Sequence, residues 1–187
     1  FVTNHSSGKM GYSLATEAQK RGAEVVLITG PTALKPPNGV EVIKINTTMD
    51  MFNAVEKQFD HCQVLIKAAA PSDYRPEIFS DVKIKKKDGE KDELNMKFVR
   101  NPDIAAHFGN LKKDQIVVGF AAETNDLVEY AKEKLNKKNF DFIVANDVSK
   151  DGAGFKEDTN IVTIIDRNYN VVDYPLLDRS QVAKIIL

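Results

Sequence analysis

The chain has 187 residues, 42% of them hydrophobic and 28% charged, with a formal net charge of −1. That length fits one domain with a full core, and near-neutral charge excludes any global argument for nucleic acid or an anionic membrane. One cysteine, Cys62, excludes an internal disulfide and fits a reducing cytoplasm; no apolar run approaches the roughly 20 residues that span a bilayer, and no signal-peptide pattern is visible.

The first informative stretch is Asn4-His5-Ser6-Ser7-Gly8-Lys9-Met10-Gly11, small and polar, ahead of an amphipathic segment that predicts a helix running to Arg21. A helix start presents backbone N–H groups without intrahelical partners, and the peptide dipoles add partial positive charge there. Gly8 and Gly11 let the backbone approach a ligand, and Lys9 adds a full charge. A phosphate is the natural guest. Plain capping by residues 4–7 is the competing reading. It accounts for Ser and Asn but not for two glycines in the first turn, where each costs about 1 kcal/mol relative to Ala.

Apolar runs and helical patterns then alternate. Strands are predicted over residues 24–28, 40–45, 64–66, 116–120, 140–144 and 161–165, the last taken as the final strand. Met51, Phe52, Val55 and Phe59 follow helical spacing, and residues 126–136 form a further helix. Such alternation predicts an α/β fold with a mostly parallel sheet covered on both faces. Ligands of such sheets bind beyond the carboxyl ends of the strands, so the loops 71–76, 121–125 and 146–149 come into focus. Residues 82–87 and 94–99 break the pattern: they read as two strands of a hairpin around Asp88-Gly89, suited to a flap or a dimer contact.

Few motifs carry chemistry alone. Lys83-Ile84-Lys85-Lys86-Lys87 is basic, but acidic residues follow at once and no aromatics interleave, which disfavours nucleic acid. Gly8-x-x-Gly11 is half of a dinucleotide fingerprint, and Tyr130 and Lys134 have a dehydrogenase-like spacing. Ser6 replaces the fingerprint's first glycine, however, and no acid ends the strand at Ile28 to hold a ribose. A nucleoside-triphosphatase P-loop fails because Met10 follows Gly8-Lys9 where Ser or Thr is required. His5, His61 and His107 lack metal-ligand spacing, and Cys62 reads as part of the approach to the core.

Taken together, the motifs resemble the phosphopantothenoylcysteine synthetases of coenzyme A biosynthesis. The likeness rests on residues 4–11, Ala68-Ala69-Ala70-Pro71-Ser72-Asp73-Tyr74-Arg75-Pro76, Lys83-Ile84-Lys85-Lys86, Asn101-Pro102-Asp103-Ile104, Gly119-Phe120-Ala121-Ala122-Glu123-Thr124 and Ala145-Asn146-Asp147, in family order across nearly the whole chain. It implies one domain over residues 1–187 with a doubly wound, Rossmann-like sheet and a hairpin inserted at about 82–99. It also implies a cytoplasmic ligase. In that reaction the carboxylate of 4′-phosphopantothenate attacks the α-phosphate of CTP, releasing pyrophosphate, and the amine of L-cysteine then displaces CMP. ATP in place of CTP, or a nucleotide-binding subunit without turnover, are the alternatives.

By motif position, the resemblance makes Asn4 and Lys83 the catalytic residues. Nucleotide contacts fall on Ala68, Ala69, Asp73, Lys83, Val99, Arg100, Asn101, Pro102, Phe120, Lys134 and Lys138. Asn4, Ser6, Ser7, Gly8 and Lys9 bound the phosphopantothenate side, and Mg²⁺ arrives on the nucleotide rather than on protein ligands. The family is dimeric, and many bacterial members are fused to a flavin-dependent decarboxylase. Members also carry a strand and a phosphate-contacting loop upstream of the asparagine motif, whereas this sequence begins at Phe1. Ala70-Pro71-Ser72 stands where Ala-Val-Ala is commoner.

Overall fold

The computed structural model describes residues 6–78, 82, 95–123, 126–147 and 159–187. In chain order the elements begin with α1 (Lys9–Lys20), β1 (Val26–Thr29), β2 (Glu41–Lys44), α2 (Thr48–Phe59), β3 (Val64–Lys67), β4 (Tyr74–Pro76) and β5 (Phe98–Arg100). There follow α3 (Ile104–Leu111), β6 (Ile116–Glu123), α4 (Leu127–Lys137), β7 (Phe142–Asp147), β8 (Thr159–Asp166), β9 (Val171–Asp178) and α5 (Arg179–Ile186). Gly8 sets the start of α1, because its φ of 73° lies in the left-handed region that side chains disfavour. Thr47 and Asp50 fix the start of α2 reciprocally: Asp50 N–H donates to the Thr47 hydroxyl at 3.0 Å, and Thr47 N–H to the Asp50 carboxylate at 2.9 Å.

The main sheet has five strands in the order β3-β6-β7-β8-β9. β3, β6 and β7 are mutually parallel, β8 is antiparallel to β7, and β9, reversed again, points with the parallel set. Four of the five strands thus run one way, the mostly parallel sheet expected. Successive side chains on a strand face opposite ways, and both faces are apolar. Val118, Val144 and Val162 pack with Leu14 of α1 and with Val182, Ala183 and Ile186 of α5. Val117, Ile143, Ala145 and Ile165 face Met51, Val55 and Phe59 of α2, Phe108 of α3, and Ala131 and Leu135 of α4. Helices on both faces make the fold doubly wound.

Several details differ from the sequence expectation. β1 and β2 form a separate parallel pair. β1 and β3, although written in apolar residues, are no more than half-buried, since among the described residues each has a strand neighbour on one side alone. The partner of Phe98–Arg100 is Tyr74–Pro76, within a segment expected to be loop. The ribbon is therefore rooted directly beyond the residues that follow β3, and the proposed partner strand 82–87 lies, but for Val82, outside the described residues. The strand at 159–166 is not the last: β9 follows it, with Tyr174 and Pro175 opposite the single residue Val162 at a register shift. A bulge on an edge strand is where a proline, lacking its N–H, can sit in a sheet.

The end of α4 is closed by a Schellman turn. Asn139 takes φ 51°, Phe140 N–H donates to Leu135 C=O at 3.0 Å, and Asn139 N–H donates to Asn136 C=O at 3.1 Å. α3 presses on this turn: the Asn139 amide donates to Gly109 C=O at 2.8 Å, and a Cβ on Gly109 would overlap the Lys138 carbonyl oxygen. Gly109→Ala is therefore expected to cost about 3 kcal/mol through overpacking against backbone. Urea unfolding measures this, and an unchanged midpoint would refute the close approach.

Candidate functional site

β3 stops at Lys67, opposite Gly119, whereas β6 continues to Glu123. Among the described residues the far half of β6, beginning at Phe120, therefore pairs with no strand on its β3 side, which leaves a notch in the ladder at the carboxyl ends of two parallel strands. Ligands of open α/β sheets bind in such a place. Ala68 and Ala69 lead the chain out of β3 along one wall, and Phe120 forms the base beside Val144 of β7. A flat ring can approach this wall because the alanines present little more than backbone.

Asn101 ties the neighbouring loop together. Its side-chain amide donates to Ser72 C=O at 2.8 Å and to the Thr48 hydroxyl at 3.3 Å, while its carbonyl oxygen accepts from Arg75 at 3.1 Å. Its backbone N–H donates to Asp73 C=O at 2.8 Å. The same Arg75 nitrogen donates to Arg100 C=O at 2.8 Å. Val99 lies opposite Arg75 in the β4–β5 register, and the Arg100 guanidinium stacks over Tyr74 at 5.9 Å from the ring centroid. One residue thus fixes the loop after β3, the root of the ribbon and the start of α2.

Charge gathers on the α2–α3–α4 side. The Asp103 carboxylate caps α3, accepting from Ala106 N–H at 3.1 Å, and pairs with the Lys138 ammonium at 3.4 Å. Lys138 closes α4, and its side chain reaches back along α3. Burial pushes the Asp103 carboxyl up, but the Ala106 N–H and then the Lys138 and Lys67 charges outweigh it and hold it below the ordinary value. Lys67 carries the largest perturbation: burial, reinforced by the like charge of Lys138 and Lys134 against the attraction of Asp103 and Asp73, lowers its ammonium to about 8. Lys134 lies one turn before Lys138 on α4, as i, i+4 spacing requires.

The chain matches, over residues 1–187, the family described as the DNA/pantothenate metabolism flavoprotein C-terminal domain. It belongs to that family. It is 45% identical over 188 aligned positions to the coenzyme A biosynthesis bifunctional protein CoaBC of Bacillus subtilis (strain 168), covering 100% of this chain and 46% of that protein. The chain thus spans about half the length of the curated relatives it matches. The crystal structure of the C-terminal domain of a CoaBC superposes with a TM-score of 0.81 at 39% identity, covering 98% of this chain and 81% of that one. At 14% identity, the structure of a Cab2 H337A mutant in complex with phosphopantothenate-cysteine shares the fold, with a TM-score of 0.71 over 98% of this chain and 77% of its own.

In this member of the family, Ala68, Ala69, Asp73, Val99, Arg100, Asn101, Pro102, Phe120, Lys134 and Lys138 lie on the loop, ribbon and helices bordering the notch. Ser6, Ser7, Gly8 and Lys9 form the entry to α1. There the Ser7 carbonyl accepts from Thr32 at 3.3 Å, and Gly8 offers no side-chain cap. Gly11 takes an ordinary helical conformation with open space where a Cβ would stand, so Gly8 is the glycine its backbone requires. Asn4 and Lys83 lie outside the described residues. Cys62 follows the end of α2, its thiol donating to Phe59 C=O at 3.4 Å, and burial raises that thiol.

Two residues of the site escape the sequence reading. Asp103 stands within a quoted motif, but its pairing with Lys138 spans 35 positions and only the fold creates it (138 − 103). The signal for Lys67 was a lone charge closing the apolar run Val64-Leu65-Ile66. Asn101→Ala is expected to lower stability by about 2 kcal/mol, since Ser72 C=O and Arg75 lose a buried partner. It should also loosen the loop, read as faster amide exchange at residues 72–75; protection equal to wild type would show that Asn101 does not organise the site.

Proposed function

We propose that this chain is a phosphopantothenate–cysteine ligase domain acting in coenzyme A biosynthesis. It activates 4′-phosphopantothenate with CTP to an acyl-cytidylate and then couples L-cysteine. The observation that carries the reading is the notch beyond β3, bordered by residues 68–73, the Asn101-Pro102 turn, Phe120 and the α4 lysines. These are the positions at which the resemblance puts the nucleotide. The coenzyme A biosynthesis role named for the Bacillus relative and the phosphopantothenate-cysteine bound by the fold neighbour support the same chemistry.

Both half-reactions build negative charge, first on phosphoryl oxygens and then on the acyl oxygen. They need fixed donors more than acid–base groups. Lys134 and Lys138 hold the nucleotide, and the short alanine run supplies backbone for the base. Lys83 meets the triphosphate, and the Gly8–Lys9 helix start with Asn4 receives the acyl end. Mg²⁺ carried by the triphosphate would neutralise part of its charge.

The active form is a homodimer joined through the β4–β5 ribbon, where Tyr74 and Phe98 remain 46% and 41% exposed. The protein works in the cytoplasm, joined to or beside a flavin-dependent decarboxylase that consumes its product. No helix among the described residues is long and apolar enough to cross a membrane.

The test is stepwise. Pyrophosphate should appear with CTP, Mg²⁺ and phosphopantothenate alone, before cysteine is added; release that waits for cysteine would overturn the two-step reading. Substituting ATP decides the nucleotide. Lys83→Gln should slow the first step by about 100-fold, the scale of one lost charge-assisted donor. Asn4→Asp should let acyl-cytidylate accumulate by impairing the second step.

A further inference from the structure

The turn between β8 and β9 holds a bulky side chain on left-handed backbone. Tyr169 N–H donates to Asp166 C=O at 3.0 Å, Asp166 N–H donates to Asn170 C=O at 3.2 Å, and Tyr169 takes φ 61°. Such a three-residue hairpin loop closes on a left-handed residue, where glycine or asparagine is at ease and a large side chain is an outlier. Asparagines stand on both sides, at 168 and 170, yet the position itself is tyrosine. A side chain persists in that conformation where its surroundings over-determine it.

What surrounds Tyr169 is α4. Its hydroxyl meets the Asn136 side-chain amide, 2.7 Å from Nδ2 and 3.0 Å from Oδ1, and the Lys132 ammonium lies 5.8 Å from the centre of its ring. From the same turn, Arg167 donates to the Asn139 and Phe140 carbonyls at 3.1 and 2.9 Å, and to the Asn139 side-chain oxygen at 2.8 Å. The hairpin tip therefore holds α4 twice, on its flank and at the turn that follows Lys138. At the other end of the helix Asp126 supplies no side-chain cap.

At about 100° per residue, the buried Ala131 and Leu135 form one stripe of α4, with Lys134 and Lys138 on one flank and Lys132 and Asn136 on the other. Ala131 presents a single methyl group, a poor brake on rotation. A roll of about 10° would move groups 5–6 Å from the helix axis by about 1 Å. Tyr169 stops that roll from the flank opposite the two lysines. The β7–β8 pairing sets Asp166 opposite Phe142, the first residue of β7, so the tip lies at the amino edge of the sheet, away from the notch.

We propose that Tyr169 is a positioning residue for nucleotide binding: held against Asn136 and Lys132, it fixes the rotation of α4 and so aims Lys134 and Lys138 at the nucleoside triphosphate. This rests on the nucleotide-dependent reading above. Tyr169 acts through α4 and touches no substrate.

The experiment is steady-state pyrophosphate release by the full-length protein, giving separate KM values for CTP and phosphopantothenate, with melting temperatures alongside. Tyr169→Gly relieves the left-handed strain and loses the ring contact, so its melting temperature should stay within about 3 °C of wild type. Its KM for CTP should rise about 5-fold, with kcat and the phosphopantothenate KM unchanged. Asn136→Ala removes the same contact from the helix side while raising helix propensity; it should raise the CTP KM by a similar factor and melt no lower. In a Lys134→Ala, Lys138→Ala background, adding Tyr169→Gly should change the CTP KM no further, because residues that act through one another are not additive.

An unchanged CTP KM in Tyr169→Gly and Asn136→Ala overturns the role of Tyr169 and leaves the ligase reading standing. So does a fall in kcat alone, the mark of a merely structural part, and so does a full effect that persists without the lysines. A CTP KM indifferent to loss of both lysines removes them from the nucleotide seat, and this inference with them. If wild type releases pyrophosphate from neither CTP nor ATP, the ligase reading itself falls.

Discussion

The early end of β3 governs the rest of the molecule. A strand of four residues beside one of eight leaves half of β6 uncovered on that side, at the carboxyl edge where helix starts and loops converge. An exposed strand edge is a liability unless something pairs with it or covers it. Here the chain leaves β3 through three small residues, Ala68, Ala69 and Ala70, which keep close to the edge without filling it. The opening is thus made by ladder length and by the absence of bulk, two properties that cost the core nothing.

Holding the opening in shape falls to polar groups drawn from distant parts of the chain. Asn101 alone joins residues 48, 72, 73 and 75, and every one of those bonds would have to be surrendered for the loop to move. The Schellman turn after α4 and the contact at Gly109 do the same for Lys138, fixing the backbone from which its side chain reaches Asp103. The site is stiff where it positions cations and sparing where it receives a ring. Such preorganisation suits chemistry in which charge must be met without rearrangement.

How much of this is legible in the sequence depends on range. The strands at 64–66, 116–120 and 140–144 are visible because strands of a mostly parallel sheet are written as short runs rich in Val, Leu, Ile and Phe. α3, Ile-Ala-Ala-His-Phe-Gly-Asn-Leu, is only two turns long, with a glycine in its buried stripe and Leu111 on its exposed side, so its 3.6-residue alternation is too short to stand out. β9 is masked by Pro175 and by side chains that remain exposed on an edge. The pairing of Tyr74–Pro76 with Phe98–Arg100 joins segments more than 20 residues apart, and no local pattern announces it. The motif residues around the notch could be named from likeness to a family. That Asn101 is the knot and Asp103 the counter-charge follows only from contacts the fold creates.

Lys67 shows why the two kinds of legibility diverge. At the level of pattern it is where an apolar strand turns polar, an ordinary place for a strand to end. In three dimensions the same residue lies on the face of α2, α3 and α4, in the field of the Lys134 and Lys138 cations and of the Asp103 and Asp73 carboxylates. Local rules therefore describe Lys67 without its surroundings, whereas at α3 they miss a helix whose buried stripe of Ile104, Ala105, Phe108 and Gly109 covers only two turns.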